Sequence, residues 1–217
     1  MVAHPAKLVA GVPVPDTPLA RDITDYVREV EDDLLFHHSR RVYFFGALHG
    51  QRRGLAPDLE LLYAGAMFHD VGLTEPHRST SSIRFEVDGA DVARDFLVER
   101  GIDPAVARMV WLAIALHTTP GVPEFLEPEV ALVSAGVETD VLGLGRDSLP
   151  PEALEAVTAA HPRPDFKRQI LAAFVDGMRQ RPSTTYGTVN ADVLDHYDPR
   201  FARQDFVDVI LHSGWSE

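Results

Sequence analysis

Apolar residues recur at three- and four-residue intervals along most of the chain, the spacing of an amphipathic helix buried on one face. Leu19, Ile23, Tyr26, Val27, Val30 and Leu34 follow Thr17-Pro18, a cap residue with proline in the first turn. Val42, Phe45 and Leu48 mark a second helix that ends before Gly54, and Pro57 opens a third that runs through the apolar stretch Leu61 to Phe68. The segment Thr74 to Ser82 is polar and contains proline, so a loop is expected there, placed to cover whatever precedes it or simply to connect. Periodicity resumes from Ile83 to Glu99 and stops at Gly101. It restarts at Asp103-Pro104 with Val106, Met109, Val110, Leu112, Ala113 and Leu116, and a sixth helix begins near Pro128. Beyond Gly143 the prolines at 150, 151, 162, 164 and 182 punctuate two more helices. Short amphipathic pieces follow around Val193-Leu194 and Phe206 to Leu211. No strand-like alternation persists, so the fold class is all-α.

Composition narrows the setting. The 217 residues suit one domain, and 45% hydrophobic with 24% charged residues is the balance of a soluble globule. The net charge of −13 disfavours nucleic acid and anionic membrane surfaces as partners. With no cysteine, disulfides, thiolate metal sites and cysteine nucleophiles are excluded. The first fifteen residues lack the charged start and unbroken apolar segment of a signal peptide. No run reaches the roughly 18 to 20 apolar residues that span a bilayer. A cytoplasmic protein is expected.

The candidate chemistry centres on His69-Asp70, at the end of the third helix and followed by Val71-Gly72. Adjacent residues on a helix point about 100° apart, so the pair shares a ligand most easily where the helix stops, and Gly72 is expected to supply the stop. His38 lies 31 positions upstream and Asp140 lies 70 downstream of the pair. Imidazole nitrogen with carboxylate oxygen suits zinc, iron, manganese or nickel. The plainer alternative is a histidine hydrogen-bonded in the core.

The order His38, His69-Asp70, Asp140, with His38-Ser39-x-Arg41 and a hydrophobic helix ending in His-Asp-Val-Gly, resembles the HD-domain superfamily of metal-dependent hydrolases. The resemblance implies an all-α HD-type bundle in which these four residues, on separate helices, bind one catalytic metal. It also implies a division into a leader at 1–15 and a helical domain at 16–217, with the metal-site core at about 30–145 and additional helices at about 150–217. Two-metal members carry two extra histidines. The first would fall at Phe85, which cannot ligate, so one divalent ion is expected: Zn2+ first, with Fe2+, Mn2+ or Ni2+ as alternatives. His117 stands where the second would fall and is open to three roles: substrate contact, proton transfer, or closing its helix by a hydrogen bond.

The text around His38 to Tyr43 and Arg84-Phe85-Glu86 looks like the cyanamide hydratase branch, whose members add water to cyanamide to give urea. On that resemblance Asp70 orients the water as well as ligating. His117 and Glu86 are candidates for proton delivery, and Arg41, Phe44, Phe68 and Thr118 for substrate binding. Glu86 and Thr118 also fit a solvated helix position and a turn. A phosphohydrolase is the enzymatic rival, with Arg40, Arg41, Arg78 and Arg84 as its phosphate clamp; a non-catalytic metal- or ligand-binding domain is the other. A small-molecule substrate is expected in either enzyme, and a homo-oligomer is compatible with all three.

Overall fold

The computed structural model describes residues 7–75, 77–80 and 82–215. Its helical character follows the sequence closely. Helix α1 (Pro18–Val30) is capped by Thr17, whose hydroxyl accepts from the Ala20 amide at 3.0 Å, and Pro18 fills the first turn, where no amide hydrogen is needed. Helix α2 (Asp33–Arg53) starts at Asp32 and ends on Gly54, whose φ of 67° is the left-handed stop that an L side chain resists. Helix α3 (Leu59–Phe68) opens at Asp58, one residue after the expected Pro57, because the Asp58 carboxylate takes the amides of Glu60 and Leu61.

Helix α2 is buried on most of its surface and forms the axis of the molecule. It crosses α7 (Pro128–Val137) at glycines: a Cβ on Gly136 would lie 2.2 Å from the Val42 carbonyl oxygen, and one on Gly46 would lie 2.6 Å from that of Leu132. The two backbones therefore touch. That contact carries the end of α7 to the level of His38, where the helix loosens into a π-type turn, Glu138–Leu142, closed by Gly143.

Beyond α3 the chain makes a tight turn, Val71–Leu73, and the expectation that Gly72 supplies the helix stop is corrected: α3 already ends at Phe68, and Gly72 is not in the left-handed region. Gly72 is there for space, because its Cβ would sit 1.9 Å from the Phe85 carbonyl oxygen. Helix α5 (Phe85–Glu99) is thereby pressed onto the turn, with α6 (Pro104–Ala115) packed beside it. The expected loop from 74 to 82 contains a short helix, α4 (His77–Thr80); residues 76 and 81 lie outside the described residues.

The remaining helices are α8 (Pro151–Ala160), α9 (Phe166–Met178), α10 (Asn190–Tyr197) and α11 (Phe206–Leu211). Helix α9 packs against α2 and the 71–73 turn. It completes a small apolar cluster of Leu35, Leu73, Phe85, Phe166, Ile170, Met178 and Leu194, separate from the main core around α2, α3 and α7. Residues 1–6 of the expected leader lie outside the described residues. Leu8–Val9 and Val12–Pro13 pair as an antiparallel hairpin tied to α2 by the Tyr43 hydroxyl, which donates to the Pro13 carbonyl at 2.8 Å. No helix among the described residues is long and apolar enough to cross a membrane.

Candidate metal centre

Three elements meet at the buried end of α3. His38 comes from the second turn of α2. His69 is the last residue in α conformation, and Asp70 departs from it at φ −104°, ψ 2°, which turns its carboxylate back toward its neighbour. His69 Nε2 lies 3.3 Å from Asp70 Oδ2, and His38 Nε2 lies 3.1 Å from His69 Nε2 and 3.6 Å from the same carboxylate oxygen. One ligand atom from each of His38, His69 and Asp70 fits within 4.8 Å of the others.

The hydrogen bonds at the far side of each ring fix which nitrogens are free. His38 Nδ1 lies 2.7 Å from Asp140 Oδ2, and His69 Nδ1 lies 2.7 Å from the Ala66 carbonyl. Both acceptors require a proton on Nδ1, so both Nε2 atoms present lone pairs, to each other and to a carboxylate. His117 repeats the arrangement: its Nδ1 donates to the Ile114 carbonyl at 2.6 Å, and its Nε2 faces Asp70 Oδ1 at 3.7 Å.

Among the described residues no donor is hydrogen-bonded to either carboxylate oxygen of Asp70, although both are buried. Three convergent imidazole lone pairs and an unpartnered buried carboxylate repel or stay unsatisfied unless a cation joins them. The residues present therefore fit a divalent ion, and a nitrogen–oxygen donor set of this kind suits Zn2+, Fe2+, Mn2+ or Ni2+.

Burial and neighbouring charge set the ionisation states. Burial opposes the charge on Asp70, yet His69, His38 and His117 together hold its carboxyl below the usual range. Burial pulls His69 down and the Asp70 carboxylate more than restores it, so its affinity for a proton is raised. Burial and the neighbouring His69 push His117 down to about 4.

The expected fourth ligand is placed differently. Asp140 does not join the group of three; it holds His38 from behind, and its carboxylate is also gripped by Arg41, with Nε at 2.8 Å and Nη2 at 2.9 Å, and by Arg163 Nε at 3.0 Å. A carboxylate on the distal nitrogen fixes the ring's tautomer and orientation and makes the facing nitrogen a stronger donor. Arg41, expected at the substrate, is instead spent on Asp140 and on the carbonyls of His161 and Pro162, because it is wholly buried one helical turn from His38.

The other expected substrate residues are similarly committed. Phe68 packs on Tyr26 and Phe96 in the main core, and Phe44 stacks on His161. The rings that lie against the cluster are Phe166, 5.3 Å from His38, and Phe85, 5.6 Å from His117. Thr118 donates to Glu86, and Glu86 Oε1 also accepts from Arg84 Nη2 at 2.8 Å and Asn190 Nδ2 at 2.9 Å. Despite burial, Arg84, His117 and Thr118 hold Glu86 below its ordinary value, so it carries a charge and has no proton to deliver. Its place is that of an anchored anion near His117.

The four arginines read as the phosphate clamp of the rival function are each engaged elsewhere, and no two share a partner among the described residues. Arg40 donates to the Tyr63 hydroxyl, Arg41 to Asp140, Arg78 to Glu75 and Asp176, and Arg84 to Glu86.

Sequence reading missed Arg163, Phe166, Arg181 and Asn190, all from segments that approach the centre only in three dimensions. It also missed Glu31. This buried carboxyl next to α1 is pushed well above its ordinary range, first by burial and then by Asp70. Its position after Val30, at the end of an amphipathic helix, carried no signal beyond that of a solvated cap.

The HD-domain family model matches residues 35–172, which is more than half of the chain and includes His38, His69, Asp70, His117 and Asp140. The chain belongs to the HD-domain family, whose members are metal-dependent hydrolases in type. No curated protein matches it at a significant level.

Proposed function

We propose that this protein is a metal-dependent hydratase that adds water across the carbon–nitrogen triple bond of a small nitrile such as cyanamide, giving urea. Enclosure is the observation that carries the proposal. His38, His69, Asp70 and His117 are each at most 5% exposed, with the aromatic faces of Phe85 and Phe166 beside them. Side chains enclosed to this degree favour a small, uncharged substrate, and with every candidate arginine already engaged they offer little to a phosphate dianion.

His38, His69 and Asp70 would hold the ion, with Zn2+ the first choice. A divalent ion bound there would supply Lewis acidity and lower the pKa of its water to about 7. The reaction forms a carbon–oxygen double bond in place of the two π bonds of the nitrile and two O–H bonds of water, and moves both water protons to nitrogen. His117 Nε2, left free by the Ile114 hydrogen bond, is the group that takes a proton from the water and returns it to the nitrile nitrogen. The Glu86 carboxylate favours the protonated state of His117 during that transfer. The reading places the protein in the cytoplasm, with a small-molecule substrate and no nucleic-acid partner.

One observation favours a phosphohydrolase: a cavity of about 860 Å³ beside Asp140 is lined by Arg146, Arg163 and Lys167. Asp147 and Glu155 line it as well and offset much of that positive charge.

The test is urea formation from cyanamide by metal-loaded protein, run beside phosphate release from nucleoside monophosphates. Urea formation that disappears in His69→Ala supports the proposal. Phosphate release without urea formation would sink it.

A further inference from the structure

We infer that the chain beyond the family match, residues 173–198, is a working part of the metal centre, and that Arg181 is the residue through which it positions Asp70. The inference rests on the metal-dependent reading of that centre.

Arg181 follows α9 and is 3% exposed. Its guanidinium collects acceptors from three separate parts of the chain. Nη2 donates to the Gly72 carbonyl at 2.5 Å, Nη1 donates to the Asp88 carboxylate and to the Ile83 carbonyl at 3.1 Å, and Nε donates to the Gly177 carbonyl at 3.0 Å.

Gly72 lies two residues after Asp70 in the turn that swings this carboxylate toward the histidines. On one side the turn is pressed against the Phe85 carbonyl, and Arg181 fastens its Gly72 carbonyl from the C-terminal segment. Asp88 belongs to α5, so a single side chain ties the Asp70 turn, the helix packed on it and the end of α9 into one unit.

Packing alone would be served by an apolar residue, without the cost of burying a cation. A planar fork of five donors can serve a carboxylate and several carbonyls at once, whereas an ammonium group acts as a point charge. A second contact from the same segment points the same way: Asn190 of α10 is buried and donates to Glu86 at 2.9 Å, reaching the His117 side of the centre.

The test uses the full chain carrying Arg181→Lys, Arg181→Ala or, as a control, Arg179→Ala, which removes a half-exposed guanidinium lying 3.9 Å from Asp198, a carboxylate that Arg200 also holds. Zn2+ affinity is measured by competition with a chromophoric chelator, the visible spectrum is recorded on cobalt-loaded protein, and folding is followed by thermal melting. Arg181→Lys should melt within a few degrees of wild type, bind Zn2+ about tenfold more weakly and show an altered cobalt spectrum, since loss of groups that orient ligands costs 10- to 100-fold in affinity. Arg181→Ala should weaken binding further; if it fails to fold, the lysine variant decides. Arg179→Ala should match wild type throughout. Wild-type affinity and spectrum in a folded Arg181→Lys would overturn the inference alone. Failure of the wild-type chain to bind Zn2+, cobalt, Fe2+, Mn2+ or Ni2+ would overturn both the inference and the reading beneath it.

Discussion

His38 and Asp140 are joined across α2 and the turn after α7 by a 2.7 Å contact between Nδ1 and a carboxylate oxygen, and this contact leaves Nε2 as the nitrogen that faces His69 and Asp70. Asp140 is thus a lever on the metal centre that acts through His38. The same carboxylate neutralises Arg41, so the second charge needed to bury an arginine also aims a ligand.

Asp140→Asn preserves shape and removes charge. Arg41 is then left buried without its counter-ion, a change of a class that costs about 3–5 kcal/mol. The loss of orientation and basicity at His38 should weaken metal binding by about 10- to 100-fold. Urea denaturation of the metal-free protein and Zn2+ titration measure the two effects separately. An Asp140→Asn variant with wild-type stability would refute the buried-pair account.

Gly72→Ala tests the close approach of α5 to the Asp70 turn. The added Cβ has no room beside the Phe85 carbonyl, and backbone must move to admit it. A loss of about 2–3 kcal/mol or more is expected from overpacking, accompanied by weaker metal binding because the displaced turn carries Asp70. Gly187→Ala is not an equivalent control, since Gly187 has a φ of 71°. The exposed Ser183→Ala serves better and should leave both quantities unchanged.

Metal should stabilise the fold through the same three ligands. Binding to the native state alone adds RT ln(1 + [L]/Kd), about 2.7 kcal/mol when free Zn2+ is a hundredfold above Kd. The melting temperature should rise with Zn2+ and fall with a chelator, and His69→Ala should abolish both responses. A Zn2+ response that persists in His69→Ala would place the ion elsewhere.

Acid should destabilise the protein through its buried histidines before the exposed carboxylates titrate. Burial pushes His49 down to about 4 and His161 down to about 3, from an ordinary value of 6.5, so both are neutral in the fold and protonate readily once unfolded. The unfolded chain therefore binds more protons below pH 6.5, and stability falls from there toward pH 4. For the buried His49 the slope approaches about 1.4 kcal/mol per pH unit at most. Denaturation of metal-free protein at pH 7.5, 6, 5 and 4 checks the direction. His49→Gln keeps a polar side chain opposite Thr139 and should flatten part of the slope.

The sequence by itself determined the helices and the pair that anchors the site. Thr17-Pro18, Asp32, Gly54 and Asp103-Pro104 act within a turn of where they stand, so helix ends follow from local hydrogen bonding and backbone freedom. His69 and Asp70 converge because they are adjacent at a helix end, which is also a local matter.

Tertiary structure decided what surrounds them. Asp140 reaches His38 across 102 positions of chain, and Arg181 reaches Gly72 across 109, through contacts set by how α2 crosses α7 and how α9 lies on the 71–73 turn. Residue order carries no information about which imidazole nitrogen a carboxylate will meet, or whether Arg41 turns toward solvent or toward Asp140. Those outcomes depend on which backbones can touch, and here glycines such as Gly136 and Gly72 allow the contact: packing alone made one expected ligand the support of another.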